Sequence, residues 1–458
     1  MSALPASILI TTYPGQTSLY TNGSGAQFIS GATAFLVDAL DADQNPIVGP
    51  GAPTFTIAAT NGTIAAQPTN AQPNKVTITP SAAGTLTVNA TASLPSGSGA
   101  TCGSGGVVCT ASASFNAFTV PLVAIGFETS NTVQLVEDNG DGFGSVIATV
   151  PTAQPPYFIA LCPNGQLLAA GTGELTVSSP PYTSTATMTF PSSGGLGGSG
   201  DIAGVACDAK STVYVADAST IYTYAGPLVP ASNPTATTIS LGSGIDAIPY
   251  GGGFDTNGFV NGALAVAPNS TIFVTTFNTS TAHQAVLSLA THAAVFVPGG
   301  TYYSSTALSV DAASDLFITD GEDGEVAEVQ PPASNASPIV EANLGSPFDP
   351  AGGLAINGEF YLANSTGVLY QWTTPLASDT LAGGAVPNYP EGQTAQAGGP
   401  MAADIYGDLF VPYYVGPGSY IDGTYQVYPV RPSPFAFDNS YYPIGGSTNV
   451  ITSVATFP

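Results

Sequence analysis

Four cysteines, two histidines and a few close-set carboxylates are the residues of this chain that could do chemistry. Cys102 and Cys109 flank a run of glycines in TCGSGGVVCT. A loop that short and flexible lets two Cβ atoms meet, so a disulfide stapling it is expected. Cys162 and Cys207 stand at neighbouring positions of successive repeats and leave two readings open. One is a bridge between repeats; the other is two buried thiols, because free Cys is among the most buried residue types. Neither pair has metal spacing with histidine, so zinc is not expected. Glu137, Asn139 and Asp141 place side-chain oxygens at alternate positions before Gly142, as calcium requires in a tight turn. The first position is Glu, not Asp, and the twelfth, Ala148, has no carboxylate to offer. A solvated turn between strands and a calcium site therefore both stand, calcium being the one cofactor suggested. The run Asp320, Glu322, Asp323, Glu325, Glu328 is the densest negative charge and reads as an exposed hairpin tip. Gly195-Leu196-Gly197-Gly198-Ser199-Gly200 matches G-x-G-x-x-G in form, but it leads into a strand. With no helix N-terminus to face a phosphate, it reads as a linker.

Catalysis by these residues is hard to assemble. A lyase or lactonase would need metal-binding carboxylates or a general-base histidine at one point. His283 and His292 both fall in outer-strand segments of one repeat, and no G-x-S-x-G elbow precedes a helix. Seven N-x-S/T sequons, at Asn22, Asn61, Asn89, Asn269, Asn278, Asn335 and Asn364, would mark surface loops in a glycosylating host. Aromatics crowd residues 413–442, among them Tyr413, Tyr414, Tyr425 and Tyr428. Strand packing accounts for most; tyrosines left exposed would suit sugar stacking or a protein partner.

A recurring phrase positions these residues. It reads GVACDAKSTVYVAD at 204–217, ALAVAPNSTIFVTT at 263–276 and ALSVDAASDLFITD at 307–320. Looser copies stand at 158–170, 354–363 and 401–411. Each is an apolar run, a turn of small polar residues, then a β-branched and aromatic run, the mark of a hairpin. Equivalent turn positions are Cys162, Asp208, Ala267, Asp311, Asn357 and Asp404, so the steps are 46, 59, 44, 46 and 47 residues. A period in the forties with about four strands predicts a β-propeller over 120–458. The repeated acids fit turn positions, where Asp and Asn accept backbone hydrogen bonds. The first repeat, PLVAIGFE to GSVIATV, lacks an inner strand, and counting on from Asp404 lands near 450. The C-terminal NVITSVATFP is therefore expected to supply it and close seven blades, six being the alternative count. The step of 59 carries an insertion at 242–261, expected as a loop on one rim.

The phrase at 204–217 resembles the NHL and YVTN-type propeller repeats, over about 120–458. Members of those families include lyases, lactonases, secreted binding proteins and envelope proteins, so the resemblance implies a fold more than an activity. Residues 1–119 alternate in some seven short strands separated by Gly, Pro, Asn and Ser turns, which predicts an antiparallel sandwich. FLVDALDADQNPIVGP followed by GTLTVNATA resembles bacterial immunoglobulin-like domains, which implies a spacer or adhesive module on a cell surface or phage particle.

Composition narrows the function. Three Lys plus Arg stand against 29 Asp plus Glu, and charged residues make up 7%. A chain so poor in base has no footprint for nucleic acid or anionic lipid. No apolar run reaches the ~18 residues of a membrane span. The start lacks a basic, apolar leader, which fits a mature or recombinant start. Below the carboxylate range of about 4 the chain would carry little charge of either sign, as suits an acidic setting. A Ser/Thr/Gly/Ala-rich extracellular β-protein of drifted composition is the rival account. The expected function is an extracellular or cell-surface, non-enzymatic structural or adhesive protein, partnered by protein, itself or carbohydrate. A metal-dependent propeller lyase or lactonase and a virion or phage appendage protein are the alternatives.

Overall fold

The computed structural model describes residues 5–12, 19–21, 27–30, 33–48, 53–66, 74–81, 84–93, 108–118, 122–138, 143–180, 182–190, 202–208, 210–217, 219–230, 234–247, 264–278, 283–290, 293–296, 306–320, 325–330, 340–343, 350–356, 358–364, 368–376, 382–385, 394–397, 401–403, 409–416, 424–432, 435–437, 442–443 and 451–456. Among them the regular elements are all strands. The chain divides into two compact units, Met1–Pro121 and Leu122–Pro458.

The first unit packs two sheets over one core. One sheet orders Ser7–Thr12, Thr33–Leu40, Lys75–Pro80 and Gly62–Ala66; the other orders Leu19–Thr21, Gln27–Ser30, Val108–Phe118, Gly84–Ser93 and Phe55–Thr60. Alternation does the sorting: Phe35, Val37, Val76 and Ile78 point inward from the first sheet, Leu86, Val88 and Phe115 from the second. Phe35 and Phe115 meet with ring centroids 4.9 Å apart. One pairing departs from the expected antiparallel pattern, since Gln27–Ser30 runs parallel to Val108–Phe118.

The second unit is a β-propeller of antiparallel sheets. Its first sheet orders Phe143–Pro151, Thr132–Asp138, Leu122–Phe127 and, on the inner edge, Ile451–Thr456. The C-terminal strand thus pairs Thr456 with Val123 and Val454 with Ile125. The second sheet runs Phe158–Leu161, Leu167–Ala170, Glu174–Ser178, Thr185–Thr189, and the third Ile202–Cys207, Val213–Asp217, Thr220–Tyr224, Thr237–Ser240. In the fourth, Ile245–Ala247 and Leu264–Val266 both pair with Ile272–Asn278, followed by His283–Ser288 and Ala293–Phe296. Within the insertion at 242–261, Ile245–Ala247 is therefore strand added to this sheet and not rim loop; residues 248–261 lie outside the described set. The fifth sheet runs Thr306–Val310, Leu316–Asp320, Glu325–Val329, Val340–Asn343, and the sixth Pro350–Ile356, Glu359–Asn364, Leu369–Thr373, Ala382–Ala385. In the last, Thr394–Ala397 and Ala402–Ala403 share Leu409–Gly416, which pairs onward with Thr424–Pro432.

Second strands such as VYVAD at 213–217 are buried along their whole length because a sheet packs on each face. The core accordingly lies between sheets. Phe158, Leu175, Val205 and Val215 join the second to the third; Phe317, Val326, Phe360 and Trp372 join the fifth to the sixth. Val123, Phe127, Ile451 and Val454 of the first sheet pack on Ala402 and Phe410 of the last. Inner strands touch in sequence from Phe158–Leu161 through Ile202–Cys207, Leu264–Val266, Thr306–Val310 and Pro350–Ile356 to Ala402–Ala403. Ile451–Thr456 touches both Ala402–Ala403 and Phe158–Leu161.

Candidate functional site

The repeated turn after the inner strand carries Asp208, Asp311 and Asp404, and its geometry recurs. In four sheets the turn residue donates its N–H to the fourth residue on and accepts from the third: Cys162 with Gln166 and Gly165, Asp208 with Thr212 and Ser211, Ala267 with Thr271 and Ser270, Asp311 with Asp315 and Ser314. The accepted residue is left-handed each time, with φ of 79° at Gly165, 62° at Ser211, 65° at Ser270 and 73° at Ser314. Where the turn residue is Asp, its Oδ1 takes two further amides. Asp208 accepts from Lys210 and Thr212 at 2.9 and 2.8 Å, Asp311 from Ala313 and Asp315 at 2.9 and 2.8 Å. Two amides on one oxygen lock the turn, so Asp208 and Asp311 are turn residues as expected. Asn357 and Asp404 lie outside the described residues.

These turns and the inner strands that lead into them also stitch neighbouring sheets. The Ser211 hydroxyl accepts the N–H of Asn164 at 2.9 Å, and the Ser309 hydroxyl accepts that of Ala355 at 2.8 Å. The other oxygen of Asp208 accepts the Tyr214 hydroxyl at 3.2 Å and the Ser270 hydroxyl at 3.5 Å. Burial pushes the Tyr214 phenol up, and the adjacent Asp208 carboxylate pushes it further. Cys162 and Cys207 form a disulfide with Cα atoms 5.4 Å apart, joining the second and third sheets at their inner strands. Of the two readings that spacing left open, the bridge holds. Cys109 is also disulfide-bonded, while Cys102 lies outside the described residues.

Side chains from one sheet further capture backbone of the next. Gln166 accepts the N–H of Leu228 and donates to its carbonyl, both at 2.8 Å. Glu328 accepts the N–H of Leu376 at 2.6 Å through Oε2. Glu328 is fully buried and its Oε1 has no hydrogen-bond partner. The exposed-tip reading of the acidic run is therefore overturned for Glu328. It stands opposite Phe317 in a strand whose residues Val326 to Val329 are all covered by the adjoining sheets. Desolvation raises its pKa above 4.5, Asp315 and Asp311 raise it further, and the Leu376 N–H and the nearby Gln330 side chain pull the other way. Asp320 and Glu325 pair across the hairpin, and 321–324 lie outside the described residues.

Sequence reasoning passed over Gln166, Ser211 and Glu328 as connectors. The signal for Glu328 was its place in V-A-E-V, an apolar strand with one acid at a covered position. Glu137 lies in Thr132–Asp138 opposite Leu122, that strand pairs with Phe143–Pro151, and Asn139 and Asp141 lie outside the described residues. Ala148 is a strand residue paired with Leu135. Among the described residues no three His, Cys, Asp or Glu gather as metal ligands. His283 begins the third strand of the fourth sheet; His292 is outside the described residues. Of the sequons, Asn269 sits exposed in a turn, while Asn61, Asn89, Asn278 and Asn364 are at or near strand ends or within strands. Asn22 and Asn335 lie outside the described set. No described helix is long and apolar enough to cross a membrane.

No family model matches the chain, and no curated protein does. Among solved structures it is similar to a catalytically inactive virginiamycin B lyase from Staphylococcus aureus with quinupristin, at 12% identity over 70% of this chain and 97% of that one, TM-score 0.41. It is also similar to the Cps50 (Swd1) β-propeller domain of Myceliophteria thermophila, at 9% identity, 63% and 92% coverage and TM-score 0.40. A quinonprotein alcohol dehydrogenase-like protein from Bacteroides thetaiotaomicron is similar at 10% identity, 98% and 99% coverage and TM-score 0.45. Likeness at this level says nothing of activity.

Proposed function

We propose that this chain is a surface-exposed, non-enzymatic assembly module: an immunoglobulin-like sandwich followed by an NHL-like propeller of seven blades that Ile451–Thr456 closes. The observation that carries the reading is the chemistry of the outer edges. Thr185–Thr189 ends the second sheet and exposes Thr185, Thr187 and Thr189; Thr237–Ser240 ends the third and exposes Thr237, Thr238 and Ser240. Soluble sheets ordinarily blunt such edges with Lys, Pro or a bulge. Hydroxyl-bearing, uncharged edges lose little on being covered by another copy, since no charge is desolvated. The occupation of Asp208 and Asp311 in turns supports a structural use of the repeated acids. The Cys162–Cys207 disulfide supports an oxidising, extracellular setting. The contacts of Ile451–Thr456 with its neighbours on both sides support closure.

Light scattering and electron microscopy of the full chain over a range of concentrations test this. Assembly into filaments or a lattice, weakened by Thr187→Lys, is expected. A monomer at every concentration would overturn it.

A further inference from the structure

We infer that Glu328 acts as a neutral carboxylic acid clasping the sixth sheet of the propeller to the fifth, and that loss of its proton loosens that contact. The second and third sheets show what a complete clasp looks like. There the Gln166 amide accepts from the N–H of Leu228 and donates to its carbonyl, using both ends of the group. Glu328 meets Leu376 with one end alike: Oε2 accepts the Leu376 N–H. Both leucines follow a proline after the third strand of their sheet, in GPL and TPL. The other oxygen, Oε1, is buried without a partner. An ionised carboxylate has acceptors only, whereas a protonated one carries a donor and drops its charge.

The surroundings favour the proton. The charged groups acting on Glu328 are Asp315 and Asp311, both acids, from the turn of its own sheet. From the sixth sheet come the Leu376 N–H and the apolar cluster of Phe360, Trp372 and Leu376. Gln330 is the remaining polar neighbour. Burial is the largest cause raising the pKa above its ordinary 4.5. The folded state therefore holds this proton more tightly than the unfolded chain does. Stability from this group is full below 4.5 and is lost as pH rises through the folded-state value.

The chain has one tryptophan, and it is Trp372, in the same cluster as Leu376. Its emission reports on this cluster. Titrating the full protein upward from pH 3, the expected result is a reversible fluorescence transition centred above pH 4.5 in the native chain and absent from Glu328→Gln. Thermal midpoints should fall more steeply through the same window in the native chain than in the variant, where Glu128 and Asp315 alone of the raised carboxyls remain. The same transition in Glu328→Gln would overturn the inference. Should that variant fail to fold, Asp315→Asn decides: removing a neighbouring carboxylate must move the native transition to lower pH. An unmoved transition there would overturn it as well.

Discussion

Ile451→Ala is the most direct test of how the second unit is held together. Ile451 is fully buried, at 0% exposure, and packs with Val123, Ile125, Phe127 and Phe410. Those partners come from the first and last sheets, so one side chain near the C-terminus sits in the seam between the earliest and latest strands of the unit. Cutting a buried Ile to Ala removes apolar contact and leaves a cavity, at a cost of about 3 kcal/mol. Unfolding entropy of roughly 2.1 cal/mol/K per residue gives roughly 0.7 kcal/mol/K for a unit of about 340 residues, so the midpoint should drop about 4 °C. Differential scanning calorimetry resolves that shift. Val48→Ala is the control, because Val48 is 81% exposed in the first unit and its loss should move nothing. A drop of less than about 1 °C in Ile451→Ala would mean that the C-terminal strand is a peripheral addition and that the seam lies elsewhere.

The recurrent turn makes a pair of opposed predictions. Ser270 carries a left-handed backbone, φ 65°, and relief of that strain, roughly 1 kcal/mol, outweighs the loss of its long 3.5 Å bond to Asp208, so Ser270→Gly should stabilise by a few tenths of a kcal/mol in denaturant titration. Gly165, φ 79° at the equivalent position, should lose at least as much as Gly165→Ala, and a stabilising alanine would refute the common geometry. Replacing Cys162 and Cys207 together frees a closed loop with a sequence separation of 45. Chain entropy sets the loss at up to about 4 kcal/mol, measured as a lower midpoint in the double variant than in the oxidised parent. Equal midpoints would show that the packing of the second sheet on the third already fixes that loop.

Much of the fold was legible because burial imposes period. The alternation in Lys75–Pro80 and the unbroken apolar run in Val213–Asp217 each follow from how many faces are covered. The turn roles of Asp208 and Asp311 were legible too, since an acid ahead of small residues between two strands has amides within reach. Three things were hidden. The parallel pairing of Gln27–Ser30 depends on which edge of a sheet a short strand finds, which its own residues do not encode. The added strand of the fourth sheet depends on Ile245–Ala247, inside the insertion, pairing with Ile272–Asn278. Glu328 looked like one more acid of a surface run, because linear charge density is blind to the strand register that covers it. The Cys162–Cys207 bridge fell between: spacing put the two residues at like positions, but only adjacency of the sheets brings their Cα atoms to 5.4 Å.

The base-poor composition and the inter-sheet bonding belong to one physical scheme. Among the described residues, bonds between sheets include hydroxyl, amide and carboxyl contacts to backbone: Ser211 to Asn164, Ser309 to Ala355, Gln166 to Leu228, and Thr452 to the Pro156 carbonyl at 2.6 Å. None of these needs a cation, so three Lys plus Arg in 458 residues leave this stitching intact. Acid unfolding ordinarily gains force once carboxylates neutralise and the remaining positive charges repel. Here that repulsion would come from three basic side chains and two histidines. Burial, meanwhile, raises the carboxyl pKa of Glu128, Asp315 and Glu328. Each raised carboxyl holds its proton more tightly in the folded state, so each adds stability on the acid side and surrenders it as pH climbs. The two effects act in the same direction, toward a fold that tolerates acid better than neutral pH tests would suggest.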